Sequence, residues 1–260
     1  MAFWCPVKSQ ENNPDALKFL LACQDGNAEE VIRCLNQGVD INQIISDGST
    51  GMILAVQNGH YTVARALIVN NANMNQQNHD GTTPLHASIH YGHFALAELL
   101  ITSGANLELK DAAGLTPQFY AAAYGDTQML EMLLFYGAKT LVKDEQGRDP
   151  WLAAVWGGHI ETLLLLKKTG SDIHTLDREG KNALLYAVEN NDMPLVDSLI
   201  LWGIDPMHKN QKGLNALDVA TMNGFRELES RFEKMGLPRS SNPAIRILGI
   251  LNRLSGQTRD

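Results

Sequence analysis

The sequence is poor in the residues that cross-link, anchor or catalyse. Cysteine occurs at Cys5, Cys23 and Cys34 only. That is too few and too clustered to staple a chain of this length, and the spacing to histidine does not fit a zinc site. A reduced intracellular compartment follows as the expected home, cytoplasm or nucleus. Long apolar runs are missing: the longest aliphatic run is Leu163–Leu166, far short of a membrane span. The first residues, MAFWCPVKSQ, lack the apolar core of a secretory signal, and Ala2 stands where a myristoylated chain needs glycine. Positive charge is scarce as well. Net charge is −8, and because four arginines against Asp260 give the segment after Gly236 +3, the residues before it carry −11. Such a surface argues against nucleic acid as a partner. No HExxH, GxSxG or phosphate-binding glycine loop occurs, so no enzymatic activity, cofactor or metal site is expected.

What the sequence has is glycine in register. Gly48, Gly81, Gly114, Gly147, Gly180 and Gly213 stand 33 residues apart. A second series, Gly26, Gly59, Gly92, Gly125, Gly158 and Gly224, has Asn191 in its one gap. A third, Gly38, Gly104, Gly137, Gly170, Gly203 and Gly236, has Asn71 in its gap. Three series at one period mark a stacked repeat protein, in which each unit contacts only its neighbours.

The run Thr83-Pro84-Leu85-His86, then Gly92-His93, Ala97-Glu98-Leu99-Leu100 and Gly104-Ala105-Asn106, resembles the consensus of the ankyrin repeat. The resemblance extends over about residues 14–240. It implies an all-α solenoid, a single elongated domain of paired antiparallel helices joined by β-turn or hairpin-like loops. The expected organisation is a leader over 1–12, seven repeats over 13–236 (about 13–46, 47–79, 80–112, 113–145, 146–178, 179–211 and 212–236), and a capping helix and tail over 237–260. Phe3, Trp4 and Val7 of the leader are expected to cover the first repeat. Asn42 and Asn75 fit the family's turn asparagine, with His174 in the equivalent slot.

Two residues beyond each loop glycine stand Thr50, Thr83, Thr116, Asp149, Asn182 and Asn215. All can accept a hydrogen bond from the first N–H groups of a helix, and proline follows three of them, where its missing N–H costs nothing. In the third repeat a first helix is predicted from Pro84 to about Tyr91 and a second from Phe94 to Thr102, with Leu96, Leu99 and Leu100 turned to the core. The slot of Leu85 holds Gln118 and Trp151 in the next two repeats, and a buried Gln118 needs a partner or local reshaping. The slot of His86 holds Phe119, Leu152, Leu185 and Asp218, departures expected to weaken the helix-to-loop bonding. After the hinge at Leu237–Ser241, Asn242-Pro243 opens another helix that aligns Ile247, Leu248, Leu251 and Leu254, with Arg246 and Arg253 beside them. A cap over the seventh repeat is the expectation; a basic amphipathic arm is the alternative.

Among the histidines, His60, His93, His159 and His86 are framework residues by register, whereas His79, His90 and His208 sit at variable positions. The family resemblance places partner contacts on loop tips and first-helix ends. By register these give Tyr91, Tyr124 and Trp156 as an aligned aromatic ladder, with His90, Leu115, Arg148, His79 and Met222 around it. Aromatic and arginine residues dominate binding hot spots. The reading is a monomeric, non-catalytic scaffold or adaptor that holds a partner protein's peptide or loop, with no nucleic-acid and no membrane partner. The alternatives are an inhibitor occluding a partner's active surface, a bacterial effector imitating such an adaptor, and a peripheral membrane recruiter acting through the C-terminal helix.

Overall fold

The computed structural model describes residues 14–239 and 242–254. The leader with Phe3, Trp4 and Val7 lies outside the described residues. Helices follow one another in pairs: α1 (Pro14–Asp25) and α2 (Ala28–Asn36), α3 (Gly51–Gln57) and α4 (Tyr61–Val69), α5 (Pro84–His90) and α6 (Phe94–Thr102), α7 (Pro117–Ala123) and α8 (Thr127–Phe135). The pairs α9 (Pro150–Gly157) and α10 (Ile160–Lys168), α11 (Ala183–Glu189) and α12 (Met193–Leu201), and α13 (Ala216–Asn223) and α14 (Arg226–Lys234) complete the array. A last helix, α15 (Pro243–Leu254), follows. The architecture is all-α; among the described residues one isolated antiparallel bridge, Ile44 with Thr50, is the only β pairing.

The chain divides into two compact units, 1–121 with 128–139, and 122–127 with 140–260. In the first, α1, α3 and α5 stack in series, α2, α4 and α6 do the same, and each first helix packs on its own second helix. In the second, α9, α11, α13 and α15 form the stack.

Helix starts follow from the capping residues. Thr50, Thr83, Asp149, Asn182 and Asn215 each accept the N–H three residues on, from Ile53, His86, Leu152, Leu185 and Asp218 respectively. Thr116 departs from the series. The Phe119 N–H goes to the Thr116 carbonyl instead, at 3.0 Å, and the buried Thr116 hydroxyl has no hydrogen-bond partner in the protein. Asp218 departs in the opposite sense. It does not weaken its helix start, because its carboxylate accepts the Asn215 N–H at 3.2 Å and closes a reciprocal capping box.

The glycine series occupies left-handed backbone throughout, and the two asparagines that fill its gaps, Asn71 (φ 63°) and Asn191 (φ 55°), are the only described non-glycine residues with positive φ. The core repeats with the same period. Cys34, Leu67, Leu100, Leu133, Leu166, Leu199 and Phe232 share one slot and all are fully buried. Each leucine or phenylalanine side chain there contributes about 1.5–3 kcal/mol by leaving water. The Leu85 slot is also closed in every repeat, so Gln118 and Trp151 are completely buried there. Neither amide atom of Gln118 has a protein partner, nor has the Trp151 indole N–H.

Candidate functional site

Each loop tip is shaped by a residue three positions before the loop glycine. Asn78, Asp111, Asp144, Asp177 and Asn210 use Oδ1 to accept two backbone N–H groups of their own loop, at 2.8–3.1 Å. Ile45 holds that position in the second repeat, and Asp47 takes over, accepting the Ser49 N–H at 2.7 Å. This asparagine-or-aspartate series is legible at the period of 33, although its mixed identity hides it behind the glycines.

Backbone bonds then tie tip to tip. In the first unit His79 N–H donates to Asp47 O and Ala112 N–H to Asp80 O, both at 2.8 Å. In the second, Arg178 N–H donates to Gln146 O at 2.8 Å and Gln211 N–H to Glu179 O at 2.9 Å. Turn asparagines add to this frame: Asn42 accepts the Asn73 N–H and Asn75 the Asn106 N–H, both at 2.8 Å. The framework histidines bridge repeats as well, His60 to the Gln24 carbonyl, His93 to Gln57 and His159 to Ala123. His208 joins them, its Nε2 lying 2.7 Å from the Gly180 carbonyl. Its register had given no sign of that role.

The remaining oxygen of the aspartates reaches into the first helices. Asp111 Oδ2 accepts the Tyr120 hydroxyl at 2.6 Å and Asp177 Oδ2 the Tyr186 hydroxyl at 2.7 Å. Asp144, whose carboxylate is fully enclosed, instead holds the Arg148 guanidinium at 2.7 Å. Burial, then the hydrogen bond to Asp177 and its charge, pushes the Tyr186 hydroxyl pKa far above its ordinary range. Burial opposes the Lys181 charge, but Glu189 and Glu179 outweigh it and hold the ammonium above its ordinary pKa. Lys181 also lies over the Tyr186 ring, 5.4 Å from its centroid. Arg148, Asp177, Glu179, Lys181 and Tyr186 border a cleft of about 340 Å³ between the fifth and sixth loops, together with Arg178 and Glu145.

The expected partner residues fall in both units. In the first, His79 and His90 are exposed, Leu115 is half-buried, and Tyr91 is 52% exposed. His90 and Tyr91 meet edge to face at 4.9 Å between ring centroids, and Tyr91 stacks over His93 at 6.3 Å. His90 also touches Tyr120 edge-on at 6.3 Å; that tyrosine was not among the expected residues. Leu115 is tied down, its carbonyl 3.1 Å from His86 Nε2 and its N–H on Asp111. In the second unit Tyr124 is 47% and Trp156 56% exposed, while Arg148 and Met222 are half-buried. Arg148 is turned inward by Asp144 and Gln146. Tyr124 has its hydroxyl pKa raised by burial.

The three aromatics do not share one register position. Tyr91 caps α5, whereas Trp156 lies inside α9, which runs through Gly157 to a left-handed cap at Gly158. Trp156 therefore shares the register of His90. The slot of Tyr91 and Tyr124 falls to Gly157, where a Cβ would run into the His159 ring and approach the Ala123 carbonyl oxygen to 2.8 Å. At the other first-helix ends stand asparagines that close backbone: Asn58 donates to Leu54 O, Asn223 to Val219 O, and Asn190 to Trp156 O.

Among the described residues no cluster of three or more histidine, cysteine, aspartate or glutamate side chains could hold a metal ion, and no helix is long and apolar enough to cross a membrane. The family model described as "Ankyrin repeats (3 copies)" matches residues 19–111, 52–144, 96–177 and 151–229. No curated protein matches the chain.

Proposed function

The chain belongs to the ankyrin-repeat family, and from that premise we propose that it is a non-catalytic scaffold that holds a peptide or loop of a partner protein against its loop tips and first-helix ends. Members of the family are in general protein–protein interaction modules and generally non-catalytic. One observation supports the finer reading: Tyr91, Tyr124 and Trp156 each leave about half their surface in water, and the position of Tyr91 and Tyr124 is one where other repeats place asparagines that close a helix end. A half-exposed aromatic on a rigid helix offers a partner apolar area at little entropic cost. Each unit presents its own set, His90 and Tyr91 in one, Tyr124 and Trp156 in the other. The net charge of −8 favours encounter with a partner segment bearing positive charge. The reading has the chain act as a monomer in a reduced compartment, where the buried Cys23 and Cys34 stay thiols.

The test is capture from cell lysate by the wild-type chain and by a Tyr91→Ala, Tyr124→Ala, Trp156→Ala variant, with both shown to be folded by circular dichroism. A partner retained by wild type and lost by the variant supports the reading. Equal retention would assign the three aromatics to packing and move the contact elsewhere.

A further inference from the structure

Helix α15 occupies the first-helix position of a further repeat. It packs on α13 as α13 packs on α11, and Asn215 Nδ2 donates to Pro238 O just before it, as Asn182 Nδ2 donates to Asp205 O one repeat earlier. The face it turns inward is not the one its sequence pattern suggests. Ile245 is buried, Gly249 is backed so closely by Thr221 that a Cβ would strike the Thr221 carbonyl, and Asn252 Nδ2 donates to Met222 O at 2.6 Å. Ile247, Leu248 and Leu251, expected with Leu254 to cover the seventh repeat, point outward together with Ile250, these four between 43% and 56% exposed; the Leu254 side chain lies outside the described residues. The reason is steric, because only glycine lets the helix approach α13 this closely. The first helices before it in this unit bury six consecutive residues each, Pro150–Val155, Ala183–Val188 and Ala216–Thr221. Helix α15 keeps an open aliphatic face.

We propose that this face seats the protein peripherally on an anionic lipid surface. Charge selects that occupant. From Leu237 to Arg259 the sequence has four arginines and no acid, whereas the residues before it carry −11. This segment is therefore opposite in net charge to the rest of the chain and matches negative headgroups. Arg246, beside Ile247, is exposed, while Arg239 is neutralised by Glu233 and Glu229. Area points the same way. Four half-exposed aliphatic side chains offer on the order of 400 Å², about half of what each side of a stable protein interface contributes. A second copy or a helical partner would gain too little from it. A bilayer interface needs no matching shape; it takes up the aliphatic face of a helix lying in its plane and holds flanking arginines at headgroup level.

The experiment is co-sedimentation of the full chain with vesicles of phosphatidylcholine alone and of phosphatidylcholine and phosphatidylserine in equal parts. Binding is expected to the mixed vesicles and to weaken as salt is raised. An Ile247→Ser, Ile250→Ser, Leu251→Ser variant should lose at least about tenfold in partitioning, and Arg246→Gln a few-fold. Thermal melts unchanged from wild type would confirm that the repeats stay folded in both. No binding to the mixed vesicles, or equal binding by the triple variant, overturns the proposal. So does a dimer seen by light scattering that the triple variant abolishes, since the face would then belong to a contact between copies.

Discussion

The Tyr186 hydroxyl donates a hydrogen bond to Asp177 at 2.7 Å, and Tyr120 makes the same bond to Asp111 at 2.6 Å, 66 residues earlier. Each aspartate therefore holds its loop with one oxygen and its helix with the other. A loop tip with these bonds is fastened to the first helix that follows it.

Tyr186→Phe removes that fastening and keeps the ring. The expected loss is about 1.5 kcal/mol, because a hydrogen bond to a carboxylate is worth more than a neutral one. A second signature is alkaline. The folded Tyr186 pKa is raised above its ordinary 10, so the unfolded tyrosine loses its proton first. The associated stability is complete below pH 10 and is lost as pH rises beyond it. Urea titrations of wild type and variant should show the gap between them closing above about pH 10. A constant gap would mean that the bond is not what the hydroxyl contributes.

Gln118 is fully buried with both amide atoms unpartnered. Gln118→Leu removes two desolvated polar atoms from a slot that Leu85, Leu184 and Leu217 fill elsewhere. A gain of about 1–3 kcal/mol is expected, read as a higher melting temperature. A lower one would show that the amide is satisfied in solution.

Asp149 caps α9 from a buried position. Burial raises its carboxyl pKa above 3.8, although the Leu152 N–H, the Thr175 hydroxyl and Lys143 pull it down. A raised acid binds its proton more readily folded than unfolded, so its charged form costs stability at neutral pH and the cost lifts as pH falls through the raised value. Asn182 and Asn215 cap without charge. Asp149→Asn should therefore stabilise by up to about 1 kcal/mol at neutral pH, with the advantage shrinking toward about pH 4. Destabilisation at neutral pH in urea titrations would reverse the assignment.

His86 works in the opposite direction. Burial holds its imidazole below the usual 6.5 despite the Leu115 carbonyl and Asp111. The unfolded ring takes a proton near its ordinary pKa while the folded one stays neutral, so stability is complete above that value and declines as pH falls through it. His86→Leu should cost about 1–2 kcal/mol at neutral pH, from the lost bonds to Thr83 and Leu115. The difference should narrow by about pH 5. A difference independent of pH in melting experiments would remove titration from the account.

Much of the frame was legible because backbone geometry constrains residue type directly. Left-handed positions admit glycine or asparagine, and Asn71 and Asn191 confirm the register by being the two substitutes. The second helix of the third repeat runs from Phe94 to Thr102 as the flanking glycines and the leucine spacing predict. Thr116 shows the limit of such reasoning, since a hydroxyl of the right type in the right slot lost its amide to its own carbonyl. Side-chain direction was less legible. Whether α15 turns Ile247 or Ile245 inward depends on Gly249 meeting Thr221, a contact between distant positions. The offset of Trp156 from Tyr91, by contrast, stands in the numbering itself, since two periods from Tyr91 lead to Gly157.

The bonds that join loop tip to loop tip run between backbone atoms, from the amides of His79, Ala112, Arg178 and Gln211 to the carbonyls of Asp47, Asp80, Gln146 and Glu179. A main-chain link is indifferent to the side chain it carries. Mutational drift at the tips can therefore exchange one outward residue for another while the spacing of the repeats stays as it was. If the tips bind a partner as proposed, preference for that partner can change there without first repairing the fold.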